Sequence, residues 1–213
     1  MELRRGIATA LATVALLAHP PAVAAKPLVI PPRPGQVGVS VQGEYGGMLK
    51  SGSIGEDFDF GPGLAVRIRY RMRYERGLGL SFESQSFEVR PSAEFIDPDL
   101  GPLGPGHPLA PRKVTVTLSG LDIYQMFGTR TTTTRMVGAG FGLAQTHYTL
   151  NDGETAFPAA PDGAYVSLGA GVEKFFYRSL AYDLSVRYMA LFVNGSTNHD
   201  FQAALGLAFY AAY

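Results

Sequence analysis

Two short stretches hold residue types able to attack a carbonyl. His147-Tyr148-Thr149 sets an imidazole and a hydroxyl two residues apart, so an extended chain sends both from one face. There the histidine would take the hydroxyl proton as the oxygen attacks an ester. Ser196-Thr197-Asn198-His199-Asp200 carries the three residue types of a catalytic triad. Neighbours on one loop do not generally adopt triad geometry, and polar loop tips share this composition, so the stretch reads as a solvated turn. Glu94, Asp97 and Asp99, with His107, offer ligands for a surface cation. Calcium needs several convergent oxygens, and Pro98 stands between the two aspartates. Zinc spacing and a phosphate-binding loop are missing, because GxG pairs such as Gly138-Ala139-Gly140 lack a following helix. No cofactor and no metal is expected.

Whatever chemistry exists must be carried by an exported chain. Arg4 and Arg5 precede the apolar run Ile7–Ala18; Pro20 and Pro21 end it, and small residues follow. Residues 1–24 read as a secretory signal peptide, with cleavage after Ala24 or Ala25. Pro27, Pro31, Pro32 and Pro34 make 25–35 an extended, proline-rich periplasmic leader. The chain has 213 residues, 46% of them hydrophobic, with 26 glycines and zero net charge. That balance points away from nucleic acid. The absence of cysteine rules out disulfides, thiolate chemistry and lipoprotein attachment. Beyond the signal, no segment reaches the roughly 20 apolar residues of a membrane helix.

Residues 36–213 fall into eight segments that alternate with period two. Their apolar faces run Val37–Tyr45, Leu64–Tyr70, Leu78–Phe82, Val114–Leu118, Val137–Leu143, Val166–Val172, Leu180–Tyr188 and Phe201–Tyr213. The fourth is irregular. Its parity puts Asp122 on the apolar side beyond Gly120, so either a bulge sits there or the parity is misassigned. Polar connections near Gly46–Asp59, Glu88–Arg112, Asn151–Asp162 and Val193–His199 alternate with short ones near Met72–Arg76, Gly128–Thr133 and Tyr177–Ser179. Long loops on one rim and short turns on the other describe a transmembrane barrel.

Three features turn the apolar face to lipid. Gly138, Gly140, Gly142, Gly169, Gly171 and Gly206 lie on the other face, where a narrow lumen needs room. Arg67, Arg69, Glu83, Glu173, Asp183 and Arg187 share that face; inside they pair as a structural polar network, whereas an arginine in lipid costs about 2–4 kcal/mol. Aromatics, among them Tyr45, Tyr70, Tyr74, Tyr148, Phe175, Phe176, Tyr177, Tyr188, Phe192, Phe209 and Tyr213, gather near segment ends as interfacial girdles do. The alternatives are a soluble lipocalin-type barrel with its apolar face inward, and a lumen that conducts a small solute.

With its eight segments, the glycine-rich Val137–Leu143 and Leu168–Glu173 stretches and its aromatic end, the chain resembles small outer-membrane barrels of the OmpA/OmpX type. The resemblance implies an all-β, eight-stranded antiparallel transmembrane β-barrel with short periplasmic turns and longer surface loops. It places the protein in the bacterial outer membrane, among lipid and lipopolysaccharide, as a monomer. It also implies that Phe209 and Tyr213 form the assembly signal read by the barrel-assembly machinery. Lipid A deacylases of this kind carry a lipid-facing His-x-Ser pair. His147 and Thr149 share that parity, but Thr replaces Ser, Gln145 stands where the motif has Phe, and no acidic partner is evident. The expected role is non-enzymatic, through surface loops and an unknown surface ligand, with solute passage and then acyl hydrolysis around His147 as alternatives.

Overall fold

In hydrocarbon every backbone N–H and C=O must pair within the protein, so strands that alternate in this way close on themselves. The structure, a computed structural model, describes Val29 and residues 33–73, 75–97, 100–103, 107–156, 162–193 and 195–211. The signal peptide lies outside these residues. The elements are β1 (Val37–Met48), the short helix α1 (Gly52–Gly55), β2 (Phe60–Arg73), β3 (Arg76–Glu88), β4 (Phe95–Asp97) and β5 (Gly101–Leu103). They continue with β6 (Pro111–Phe127), β7 (Thr133–Leu150), β8 (Thr155–Ala156), β9 (Asp162–Tyr177), β10 (Leu180–Val193) and β11 (Ser196–Tyr210). Eight long strands, β1, β2, β3, β6, β7, β9, β10 and β11, each pair antiparallel with the next. The pairing of β11 with β1, from Gly38↔Tyr210 to Met48↔Asp200, closes the ring. β4 and β5 form a separate hairpin within the loop between β3 and β6.

The register fixes the tilt. From Gly43 one way round, the paired residues are Leu64, Ser84, Thr117 and Gln145. The other way they are Leu205, Leu184, Val172 and Arg135. The two paths meet β7 at residues 145 and 135, a stagger that inclines the strands by about 40° to the barrel axis.

Outward residues form an apolar band in which Leu143, Leu168 and Leu205 each keep over 60% of their surface exposed. A continuous belt of this kind has no stable state in water, and it makes the barrel a membrane-spanning one.

Three expectations need correction. The fourth segment has its parity reversed below Gly120: Val114, Val116 and Leu118 point inward and are buried, while Thr117 points out. No bulge intervenes there, since Ser81↔Gly120 and Gly120↔Gly142 continue an unbroken register. The lumen itself turns apolar at this level, so the apolar face follows it inward, and Asp122 lies in the lumen with Tyr124. Next, the long loop expected at Val193–His199 is a two-residue connection, with Val193 paired to Ser196 and Gly195 in the left-handed region at φ 70°. Hence only the connections 49–59, 89–110 and 151–161 are long. Finally, Tyr148 and Phe175 do not join the girdles. Tyr148 stacks on Phe58 and Phe175 packs on Tyr210 inside the barrel.

Candidate functional site

The lumen has two storeys. Toward the short turns it is ionic. The lower group centres on Glu173, whose oxygens take Arg69 Nη1 at 2.6 Å and Arg71 Nη2 at 2.9 Å. Tyr210 donates its hydroxyl to the same carboxylate at 2.6 Å. Arg69 also reaches Asp183 at 2.7 Å, and Ser40 donates to that carboxylate at 2.7 Å. The upper group joins Arg67 to Glu44 at 2.9 Å and to Glu83 at 3.2 Å. Arg187 meets Glu83, donates to Ser167 at 2.9 Å and lies 3.5 Å from Asp122. The structure brings Arg69, Glu173 and Asp183 together in the lower group and Arg67, Glu83 and Arg187 in the upper, with Arg71 joining the first and Glu44 and Asp122 the second. Glu44 and Arg71 lie on the same parity as the other lumen charges of β1 and β2, a signal that alternation carries; Asp122 joins them because β6 keeps one parity through Gly120.

Glycines make this packing feasible. Tyr124 lies between Gly79 and Gly138, and a Cβ at either would come within 2.9 Å of its ring. The Arg69 guanidinium lies over the Tyr124 ring, 5.3 Å from its centre. The residual cavity among Arg67, Arg69, Asp122, Tyr124 and Arg187 is about 30 Å³. That is room for about one water.

Toward the long loops the lumen is mainly apolar, with Gln85, Asp200 and Gln202 as its buried polar members. Met48, Phe87, Val114, Val116, Leu118, Leu191 and Val193 pack with Ile54 and Phe58 from the first loop. They stand at the loop-side ends of β1, β3, β6 and β10, so this plug stops the outer mouth. Two polar ties hold it. Asn198 Oδ1 on β11 accepts the backbone N–H of Ile54 at 2.7 Å and of Gly55 at 3.2 Å, fastening α1 into the mouth. Arg90 donates to the Met48 carbonyl at 2.6 Å and the Gly55 carbonyl at 3.2 Å, and pairs with Asp59 at 2.9 Å. One arginine thus staples the loop 49–59 to the loop 89–110. In the first of these, burial and the neighbouring Glu56 push the Asp57 carboxyl up from its ordinary value. Its contribution to loop packing is present in acid and is lost as the pH rises through that raised pKa.

Replacing Arg90 by alanine removes hydrogen bonds from a charged donor, a loss of about 2 kcal/mol and a roughly thirtyfold larger open population of both loops. Limited trypsin digestion of the detergent-folded protein will show it as faster cleavage after the exposed Lys50 in the loop 49–59, with the barrel band intact.

The remaining sequence candidates separate. In the stretch 196–200, Ser196 Oγ bonds to Ser53 Oγ at 2.7 Å, and Asn198 and Asp200 point inward. His199 points outward and meets the Tyr188 hydroxyl at 2.5 Å. These residues lie on a strand and not on a loop, and opposite faces keep His199 from Asp200, so the triad is not formed. His147 and Thr149 do face outward together, near the loop-side end of β7 opposite Thr115 and Lys113. Of the acidic cluster, Asp99 lies outside the described residues, Glu94 is exposed, and His107 Nδ1 accepts the Leu109 N–H at 3.3 Å. Among the described residues no group of three carboxylate, histidine or cysteine side chains converges. Phe209 faces outward on β11; Tyr213 lies outside the described residues.

The loop 89–110 carries, midway along it, a feature that alternation does not reveal. Phe95 on β4 packs against Phe58 of the plug at 6.4 Å between ring centres, while Ile96 and Leu100 are 72% and 61% exposed. The hairpin is anchored on one side and apolar on the other.

The chain matches no protein-family model and no curated protein. Solved structures do resemble it. Neisserial surface protein A superimposes with a TM-score of 0.58 at 13% identity, over 81% of this chain and 96% of that one. The outer membrane protein AlkL in lipid bilayers gives 0.52 at 14% identity, over 92% and 96%. The outer membrane protein OprG from Pseudomonas aeruginosa gives 0.51 at 14% identity, over 85% and 98%. The likeness is one of fold: an eight-stranded outer-membrane β-barrel of the OmpA/OmpX kind.

Proposed function

We propose that this outer-membrane barrel is a closed, non-enzymatic scaffold that presents the β4–β5 hairpin to a protein partner at the cell surface. The observation that carries the reading is the hairpin itself. Ile96 and Leu100 are held out to solvent by a segment whose other side, Phe95, is locked into the plug. Exposed apolar residues on a rigidly held loop favour contact with another protein. The closed lumen supports the same reading against solute passage, because both storeys are packed and the ionic one leaves about 30 Å³. His147 and Thr149, at the loop-side end of β7, fit an interfacial polar pair as well as they fit catalysis. Lipopolysaccharide around the band, and the assembly machinery at Phe209, remain the partners the fold favours.

Two measurements test the proposal. In planar bilayers the folded protein will show no stepwise conductance; reproducible open steps would defeat the closed scaffold. In cells displaying the barrel, Ile96→Asp with Leu100→Asp will abolish binding to a panel of extracellular matrix proteins that the parent binds. Binding retained by that variant, or no binding by the parent, would overturn the hairpin's role.

A further inference from the structure

The outward face of the barrel is not evenly filled. On β9, Ala170 stands between Leu168 and Val172, and it is flanked in register by Val137 on β7 and Val186 on β10. One methyl among branched side chains leaves a trough. Over Ala170 it forms a hollow of about 460 Å³ walled by Phe127, Val137, Val172 and Leu184. It continues past Leu168 toward Tyr188 and Phe201 as a hollow of about 330 Å³. In the other direction it opens at the β6–β7 turn into about 280 Å³ lined by Gly128, Thr131, Thr133 and Arg135. The three hollows follow one another from the periplasmic rim up the lipid-facing wall.

A cation stands at the rim end of the trough. Arg135 borders both the lower and the middle hollow, points outward, and has no ion pair among the described residues. Its partners across the strands are the apolar Phe127 and Val172. Lys174, two residues beyond Val172 on the same outward face and paired with Thr133, adds a second positive charge at this level. An apolar trough that ends at a guanidinium with no ion pair among the described residues matches a lipid with an apolar tail and an anionic head.

We propose that this trough holds one acyl chain of a phospholipid of the periplasmic leaflet, with its phosphate on Arg135. Guanidinium binds phosphate through paired N–H donors, more strongly than an ammonium does. Lys174 adds attraction without that geometry. The tail contributes by filling the space over Ala170, where bulk lipid would otherwise pack against a dent. The site therefore selects on both parts of the ligand, unlike the general apolar belt.

Native mass spectrometry of the full mature chain in a small-micelle detergent tests this, with phosphatidylglycerol, or diacylglycerol lacking phosphate, added at equal concentration. The parent will retain one phosphatidylglycerol and lose diacylglycerol. Arg135→Ala will lower phosphatidylglycerol occupancy roughly tenfold, and Arg135→Lys less. Ala170→Leu will displace the lipid with the guanidinium in place, and Ala170→Val serves where the larger residue impairs heat-modifiable folding. Excess inorganic phosphate will not compete, because it lacks the tail. Equal retention of diacylglycerol, competition by free phosphate, or unchanged occupancy in Arg135→Ala or in the folded Ala170 variant would overturn the site.

Discussion

Glu173→Ala will destabilise the folded barrel by about 3–5 kcal/mol, the cost of removing one partner from a buried ion pair. The reason lies in how many groups share that carboxylate. Arg69 and Arg71 both direct guanidinium nitrogens at it, and the Tyr210 hydroxyl donates to it, all from fully buried positions. Its removal strands one charge outright: Arg69 keeps Asp183, but Arg71 has no other carboxylate partner among the described residues. Alanine would also leave Tyr210 without its acceptor. Unfolding in urea from lipid vesicles, followed by the shift of the heat-modifiable band, will show the loss. A change below 1 kcal/mol would mean that the network is not what holds the lower storey.

Two further variants separate charge from packing. Glu173→Gln keeps acceptor and volume but not the negative charge, so its cost falls between the parent and alanine. Arg71→Met with Glu173→Gln removes a charge of each sign together and is expected to be milder than Glu173→Ala alone, since desolvation of two ions offsets much of their attraction. The single charge left behind, more than the lost attraction, dominates the alanine effect.

The network was largely visible in the sequence because period two sorts a strand into two faces, and charges with glycines belong to the confined one. Arg67, Arg69, Glu83, Glu173, Asp183 and Arg187 all obey that rule. It fails where the confined face is apolar too. Along β6 the inward residues run Val114, Val116, Leu118, then Asp122 and Tyr124, one parity crossing from plug to ionic storey. A rule that assigns the greasier face to lipid must reverse at Gly120, although the chain does not. The outward run Thr115, Thr117, Ser119 followed by Leu121 and Ile123 held the cue: hydroxyls give way to aliphatics without a break in phase. Arg90 and the β4–β5 hairpin gave no such cue, since both depend on contacts between loops far apart in sequence.

The reversal on β6 yields the sharpest contrast between neighbouring positions. Leu118→Asp places a second carboxylate at the lower edge of the plug, where Leu118 is 3% exposed, packed with Val116 and Leu191 and directly across the strands from Glu83, whose arginines are already engaged. Unpaired charge in that setting costs several kcal/mol and adds to the loss of the leucine, itself worth about 2–5 kcal/mol. Thr117→Asp, one residue away, points outward from the upper wall beside Ser84 and Gln145, which are already polar, and near the interface its cost is about 0–1 kcal/mol. If the lipid face instead ran through Val114, Val116 and Leu118, the order of the two would invert. Folding yield into vesicles at matched urea concentrations will decide between them. With Leu118 inward, Leu118→Asp will fail at concentrations where Thr117→Asp folds like the parent; the opposite order would reject the two-storey lumen and return the apolar face of β6 to the membrane.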